Sequence, residues 1–274
     1  MQNSLSKKII AVIGAGKMGE TLTSRMLAAG VVRKEQLIAT DKNSKRIAYM
    51  ESTYGVRATG DNREAASQAD IILLCLKPQV AASIVAGFED VVRENQLVIS
   101  IMASVTSALI EQYFGKDIPV VRAMPNTPSQ VGAGMTALTA GEFAQESHFQ
   151  LSEDIFGSVG RTLRIDEKHF DAVTALSASG PAFIYVVIEA LAEGGVKSGL
   201  PRDVAIELAA QMTLGAAKMV IDTGQHPAIL KDHVTTPAGC TIDGLLKLEE
   251  GGLRVTLIKA VDEAAKRAKA LVND

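Results

Sequence analysis

The chain's 274 residues allow one large domain or two modest ones, and either can bury a core without disulfides or metal. Its composition is ordinary for a globular protein, 47% hydrophobic and 22% charged with a net charge of −3. Neither the first 165 residues (17 Lys+Arg against 16 Asp+Glu) nor the rest (11 against 15) is basic, which excludes a nucleic-acid footprint.

No uninterrupted apolar run approaches the ~18–20 residues of a membrane span, so no membrane partner is expected. The two cysteines, Cys75 and Cys240, make no disulfide framework and point to a reducing, cytoplasmic setting. In chain order, residues 9–13, 37–40, 71–76, 97–101 and 120–123 are near-continuously apolar, the pattern of strands covered on both faces. Helical patterns at 21–29, 43–54 and 106–114 lie between them, and this alternation predicts a parallel sheet with right-handed crossovers. Two further short strands are predicted at 135–138 and 162–165, with a helix at 146–156 between them.

From residue 166 onward only helices are predicted, at 167–177, 181–197, 201–223 and 241–272, the last broken near Gly251-Gly252. Pro181 and Pro201 sit where a first helical turn tolerates proline, and Gly224 where a C-terminal cap is wanted. The chain therefore reads as an α/β domain over 1–165 followed by an all-α domain over 166–274. The stretch 202–223 is apolar on every side, through Val204, Ile206, Leu208, Met212, Leu214 and Met219 among others. Such a helix must be surrounded, which predicts a second subunit.

Gly14-Ala15-Gly16-Lys17-Met18-Gly19 follows the first predicted strand and opens a helix. In that context the first glycine permits a tight turn, the second lets the backbone approach a pyrophosphate, and the third lets helix and strand pack closely. The helix start then offers N–H groups and a positive dipole end to the phosphates. Asp41 ends the second strand, where an acid accepts from an adenosine ribose hydroxyl and favours NAD. Lys42, Asn43, Lys45 and Arg46 crowd behind it and suit a 2′-phosphate, so NADPH and NADH both stay open. The segments Leu76-Lys77-Pro78-Gln79, Ser100-Ile101-Met102-Ala103 and Met124-Pro125-Asn126-Thr127-Pro128 also follow strands and should line the same crevice.

In the helical half, residues 234–242 read Val-Thr-Thr-Pro-Ala-Gly-Cys-Thr-Ile before an apolar helix. Threonines flanking Pro, Ala and Gly at a helix start form a nest of donors for a carboxylate, or simply cap the helix. Ser177-Ala178-Ser179-Gly180-Pro181 is a second small-residue turn opening a helix. The four histidines show no metal spacing, and neither a metal nor a catalytic histidine is expected.

Together these stretches resemble the pyrroline-5-carboxylate reductases, the last enzymes of proline biosynthesis. The resemblance rests on the glycine turn, Leu76-Lys77-Pro78-Gln79, Arg122-Ala123-Met124-Pro125-Asn126-Thr127-Pro128, Ser179-Gly180-Pro181-Ala182-Phe183, Gly215-Ala216-Ala217-Lys218-Met219, and above all residues 234–245. It implies an N-terminal Rossmann domain, a C-terminal helical domain that dimerises, and NAD(P)H-dependent reduction of 1-pyrroline-5-carboxylate to L-proline. It implies Gly14, Ala15, Gly16, Lys17, Met18, Gly19 and Asp41 at the cofactor, with Asn62 at the adenosine ribose. Lys77, Pro78 and Ala103 would line the nicotinamide side. Thr236 and Thr241 would hold the substrate carboxylate and ring nitrogen, with Ala238, Gly239 and Cys240 between them. Three positions depart from the family pattern. Ala238-Gly239 stands for Gly-Gly, Met102-Ala103-Ser104 for Ala-Ala-Gly, and Asp41 for a small or basic residue.

Two rival functions carry distinct signatures. A β-hydroxyacid dehydrogenase needs a lysine early in the helix after its glycine-rich turn, and residues 182–187 contain none. A non-enzymatic dinucleotide sensor would not need the polar turn at 234–242.

Overall fold

A computed structural model of the chain describes residues 4–270. Its strands are β1 (Ile10–Ile13), β2 (Leu37–Thr40), β3 (Arg57–Thr59), β4 (Ile71–Leu74), β5 (Leu97–Ser100), β6 (Val120–Met124), β7 (Gly134–Ala140) and β8 (Gly160–Arg164). They form one sheet in the order β3-β2-β1-β4-β5-β6-β7-β8. The first six are mutually parallel, β7 runs antiparallel to β6, and β8 is parallel to β7. Strand order reverses between β1 and β4, which puts a topological switch point at their carboxyl ends.

The apolar runs are continuous because both faces of the strands are covered. Ile10, Val12, Leu73 and Ile99 pack with Leu22, Met26 and Phe156 on one face. Ala11, Ile13, Ile72 and Leu74 pack with Val85, Ile110 and Phe114 on the other. Burying one such large side chain contributes roughly 1.5–3 kcal/mol. β4 and β5 end earlier than the apolar runs, which leaves 75–77 and 101–106 as loops leading into the helices Pro78–Val85 and Ser107–Phe114.

The chain forms two compact units, one of residues up to 178 together with those from 264 on, the other of 179–263. The first extends past the change of pattern at 165/166 for a physical reason. Buried Phe170 packs with Met124 and Ala137, and the Glu167 carboxylate accepts from the Ser107 amide (2.8 Å), the Ser107 hydroxyl (2.7 Å) and Arg122 (3.0 Å).

In the second unit, the helices Gly180–Lys197 and Arg202–Thr223 meet through Ala192, Ala205 and Ala209, side chains too small to make a core. Ile188 and Val196 pack beside these alanines, while other large side chains are exposed: Tyr185 is 61% exposed, Leu208 54% and Leu214 59%. The helices Cys240–Glu250 and Leu253–Ala270 are broken at Gly251-Gly252 as expected, with Gly252 at φ +69°. The expectation about membrane-length segments needs one correction. Residues 167–197 and 202–223 are long and apolar enough on average to cross a membrane. Neither is an uninterrupted apolar run, because Glu189, Glu207 and Lys218 punctuate them.

Candidate functional site

The glycine turn leaves β1 at the switch point and enters the helix Lys17–Ala28. Gly14 has φ +100°, and a Cβ there would lie 2.6 Å from the Cys75 carbonyl oxygen. A Cβ on Gly19 would lie 2.2 Å from the Gly14 carbonyl oxygen, so helix and turn touch backbone to backbone. At Gly16 the same test meets nothing within 4 Å, and Gly16 is exposed. The first and third glycines are thus demanded by the fold, while the second leaves bare backbone facing open space. No side chain caps this helix start, at which Gly16 is the N-cap. An open backbone at an uncapped helix start fits a pyrophosphate.

Asp41 follows β2, and one of its carboxylate oxygens accepts from the Asn43 amide at 2.9 Å, closing a turn. Asn43 in turn caps the helix Ser44–Tyr54 by accepting from the Lys45 amide at 3.0 Å. Asn43 is therefore a helix cap first. Arg46, from the same basic cluster, donates to the Ala15 carbonyl and to the Glu20 carboxylate. Glu20 further accepts the hydroxyls of Tyr49 (2.9 Å) and Tyr54 (2.8 Å). Burial pushes the Glu20 pKa up, but the hydrogen bonds from Arg46, Tyr54 and Tyr49 outweigh it and hold the carboxyl below its usual range. Lys42 and Lys45 remain exposed. Asn62 opens the short helix Asn62–Gln68 after β3, and Asp61 caps that helix from the Glu64 amide at 3.0 Å.

Lys77, exposed, is the N-cap of the helix Pro78–Val85, and Pro78 occupies its first turn. Ala103 is half-buried against Met124 and Phe170. Ser104 stands where the family pattern has glycine and takes the glycine's conformation, φ +64°. Its buried hydroxyl donates to the Ala268 carbonyl at 2.8 Å, which offsets the strain. Asn126 accepts from the Met135 amide (3.0 Å) and donates to the Ser177 carbonyl (3.2 Å). The glycine turn, Asp41, Asn62, Lys77, Pro78 and Ala103 thus all follow carboxyl ends of parallel strands in one sheet.

The polar turn belongs to the second unit. Ala238 has φ +58°, which explains the family's glycine at that position. The Gly239 amide donates to the Thr236 carbonyl at 3.1 Å, and a Cβ on Gly239 would lie 2.5 Å from Thr236 Oγ1. The N-cap of the helix Cys240–Glu250 is Gly239, and no side chain caps it. Neither Thr236 nor Thr241 is spent on capping, and the N–H groups at Cys240 and Thr241 open this helix. Two of the four histidines cap helices: His226 accepts from the Ala228 amide and His148 from the Gln145 amide. Among the described residues no cluster of metal-ligating side chains occurs.

An open, mainly parallel sheet with a bare glycine turn at its switch point, followed by a helical unit carrying an uncapped polar turn, defines a dinucleotide-dependent oxidoreductase of two-unit build. Residues 9–104 match the family model described as NADP oxidoreductase, coenzyme F420-dependent. Residues 167–271 match the one described as pyrroline-5-carboxylate reductase dimerisation. A pyrroline-5-carboxylate reductase of Arabidopsis thaliana is 41% identical over 263 residues, covering 96% of this chain and 95% of its own. The solved pyrroline-5-carboxylate reductase of Coxiella burnetii superposes with a TM-score of 0.90 at 37% identity, covering 96% of this chain and 98% of that one. A pyrroline carboxylate reductase of Plasmodium falciparum, solved with NADP bound, gives 0.88 at 31% identity, covering 97% and 98%. The chain belongs to the pyrroline-5-carboxylate reductase family.

The sequence alone gives no sign that Glu20, Tyr49 and Tyr54 gather at Arg46. These side chains come from two helices separated by a strand, and no local spacing signals their meeting.

Proposed function

We propose that this chain reduces 1-pyrroline-5-carboxylate to L-proline with NADPH or NADH, the last step of proline biosynthesis. Residues 1–165 hold the cofactor, and residues 166–274 hold the substrate and a second subunit. The observation that carries the substrate assignment is the uncapped helix start at Gly239, flanked by two threonines with hydroxyls to spare.

When bound, the reduced nicotinamide supplies a hydride to the C=N carbon of the substrate. Gly14 to Gly19 present backbone N–H groups to the pyrophosphate, and Asp41 and Asn62 face the adenosine ribose. Lys77, Pro78 and Ala103 line the nicotinamide side. N–H groups from Ala238 to Thr241, with the Thr236 hydroxyl, hold the substrate carboxylate at a positive helix end. The Thr241 hydroxyl accepts from the protonated ring nitrogen and orients it, so that the carbon is electron-poor when hydride arrives. No dedicated acid–base side chain is required, because orientation supplies much of the rate.

A homodimer through the helical unit, or a larger assembly of such dimers, covers the exposed face of Arg202–Thr223. Asp203, Glu207, Lys218 and Asp222 on the same helix favour a second copy over lipid as the cover. Unpaired Cys75 and Cys240 support a reducing, cytoplasmic setting. The test is direct: incubation with 1-pyrroline-5-carboxylate and each reduced cofactor should consume cofactor and yield proline in equal amounts. Consumption without proline, or none at all, would refute the assignment.

A further inference from the structure

The structure assigns Arg46 and Glu20 a positioning role: together they brace the phosphate-binding turn from behind and serve NADPH and NADH alike. The inference rests on the dinucleotide reading above and concerns residues that reading leaves without a task.

A turn that presents N–H groups to phosphate must turn its carbonyl oxygens away and give them partners, because a carbonyl facing a phosphate is repelled. Arg46 supplies those partners. Its Nε donates to the Ala15 carbonyl, and its Nη2 reaches the Gly16 carbonyl at 3.4 Å. The Glu20 amide donates to the same Gly16 oxygen at 2.9 Å. The guanidinium is fixed by its ion pair with Glu20 and lies 5.0 Å from the centre of the Tyr49 ring. Glu20 is fixed in turn by the hydroxyls of Tyr49 and Tyr54, whose rings meet edge-on at 6.1 Å. A planar fork with several donors suits this arrangement, and a lysine would not reproduce it.

The charge balance gives the inference its edge. The Arg46 cation is neutralised in place by Glu20, so the pair offers no net charge to a 2′-phosphate. An arginine reading the 2′-phosphate would matter for NADPH only. An arginine bracing the pyrophosphate turn matters equally for both nucleotides.

The experiment is calorimetric titration of the full-length protein with NADPH and with NADH, without substrate, for wild type, Arg46→Ala and Glu20→Gln. Removing the charge-assisted bonds of Arg46→Ala should weaken both nucleotides about tenfold each, and Glu20→Gln about threefold each. The ratio of the two Kd values should stay within about twofold of wild type. The far-UV circular dichroism of both variants without nucleotide should match wild type, which a general loss of structure would not allow. A loss confined to NADPH in either variant would overturn the brace, as would unchanged Kd values for both nucleotides. If Arg46→Ala does not fold, Glu20→Gln decides by the same criteria. If wild type binds neither nucleotide, the dinucleotide reading itself falls and takes this inference with it.

Discussion

The two units of this chain solve the problem of burial differently. In the first, strands and helices close two hydrophobic clusters, one on each face of the sheet, with Val12, Leu73, Phe88 and Phe114 buried. In the second, the one hydrophobic cluster among the described residues is three buried alanines with half-buried Ile188 and Val196, while Leu208, Met212, Leu214 and Ile221 stay more than half exposed. The first unit is complete in one chain. The second has the surface of a core cut open, and with the proposed homodimer its stability becomes inseparable from that of the assembly.

Substitutions of one kind should therefore act differently in the two units. Leu214→Asp places a charge on the open face and should raise the dimer dissociation constant more than about 100-fold, in line with the ~3–5 kcal/mol of an uncompensated buried charge. NADPH binding by the first unit should be unaffected. Leu73→Ala should instead cost ~2–5 kcal/mol of folding stability, independent of protein concentration. Sedimentation and chemical denaturation at two concentrations separate these outcomes.

The next largest effect divides substrate from cofactor. Thr241→Ala should remove the proposed hydrogen bond to the reacting ring at a cost of ~1–3 kcal/mol, roughly 5- to 150-fold in kcat. Its Kd for NADPH should equal that of wild type, and an unchanged kcat/KM would leave Thr241 without a catalytic part. In the first unit, Asp41→Ser should shift the kcat/KM ratio toward NADPH by roughly tenfold, ~1.4 kcal/mol. Its carboxylate already accepts from Asn43, and an unchanged ratio would mean that this turn is its whole role.

The glycine turn and the strands were legible because each leaves a local trace. Strands covered on both faces read as unbroken apolar runs, and a backbone that touches backbone at Gly14 and Gly19 tolerates no side chain. β3 left no such trace, being three residues long and half-exposed at the sheet edge. The helix Asn62–Gln68, about two turns long, is too short to show a period. Arg46 was legible as a cation but not as a brace, since its partner Glu20 lies 26 residues away on another helix. The uncapped start at Gly239 also needed coordinates, because threonines beside a helix suggest capping from sequence alone.

The smallest expected effect sharpens the comparison at two positions where this chain departs from glycine. Ala238→Gly should stabilise the helical unit by up to ~1 kcal/mol, by relieving a left-handed backbone at φ +58°. Ser104→Gly relieves a similar strain but loses the bond to Ala268, worth about 1 kcal/mol, so its net change in denaturation midpoint should be near zero.

Sedimentation velocity across a dilution series, with specific activity measured on the same samples, tests most directly whether the second unit depends on a second copy. Specific activity should fall in step with the dimer fraction, while the diluted chain keeps its affinity for NADPH. A folded monomer that reduces 1-pyrroline-5-carboxylate at the undiluted specific activity would contradict it.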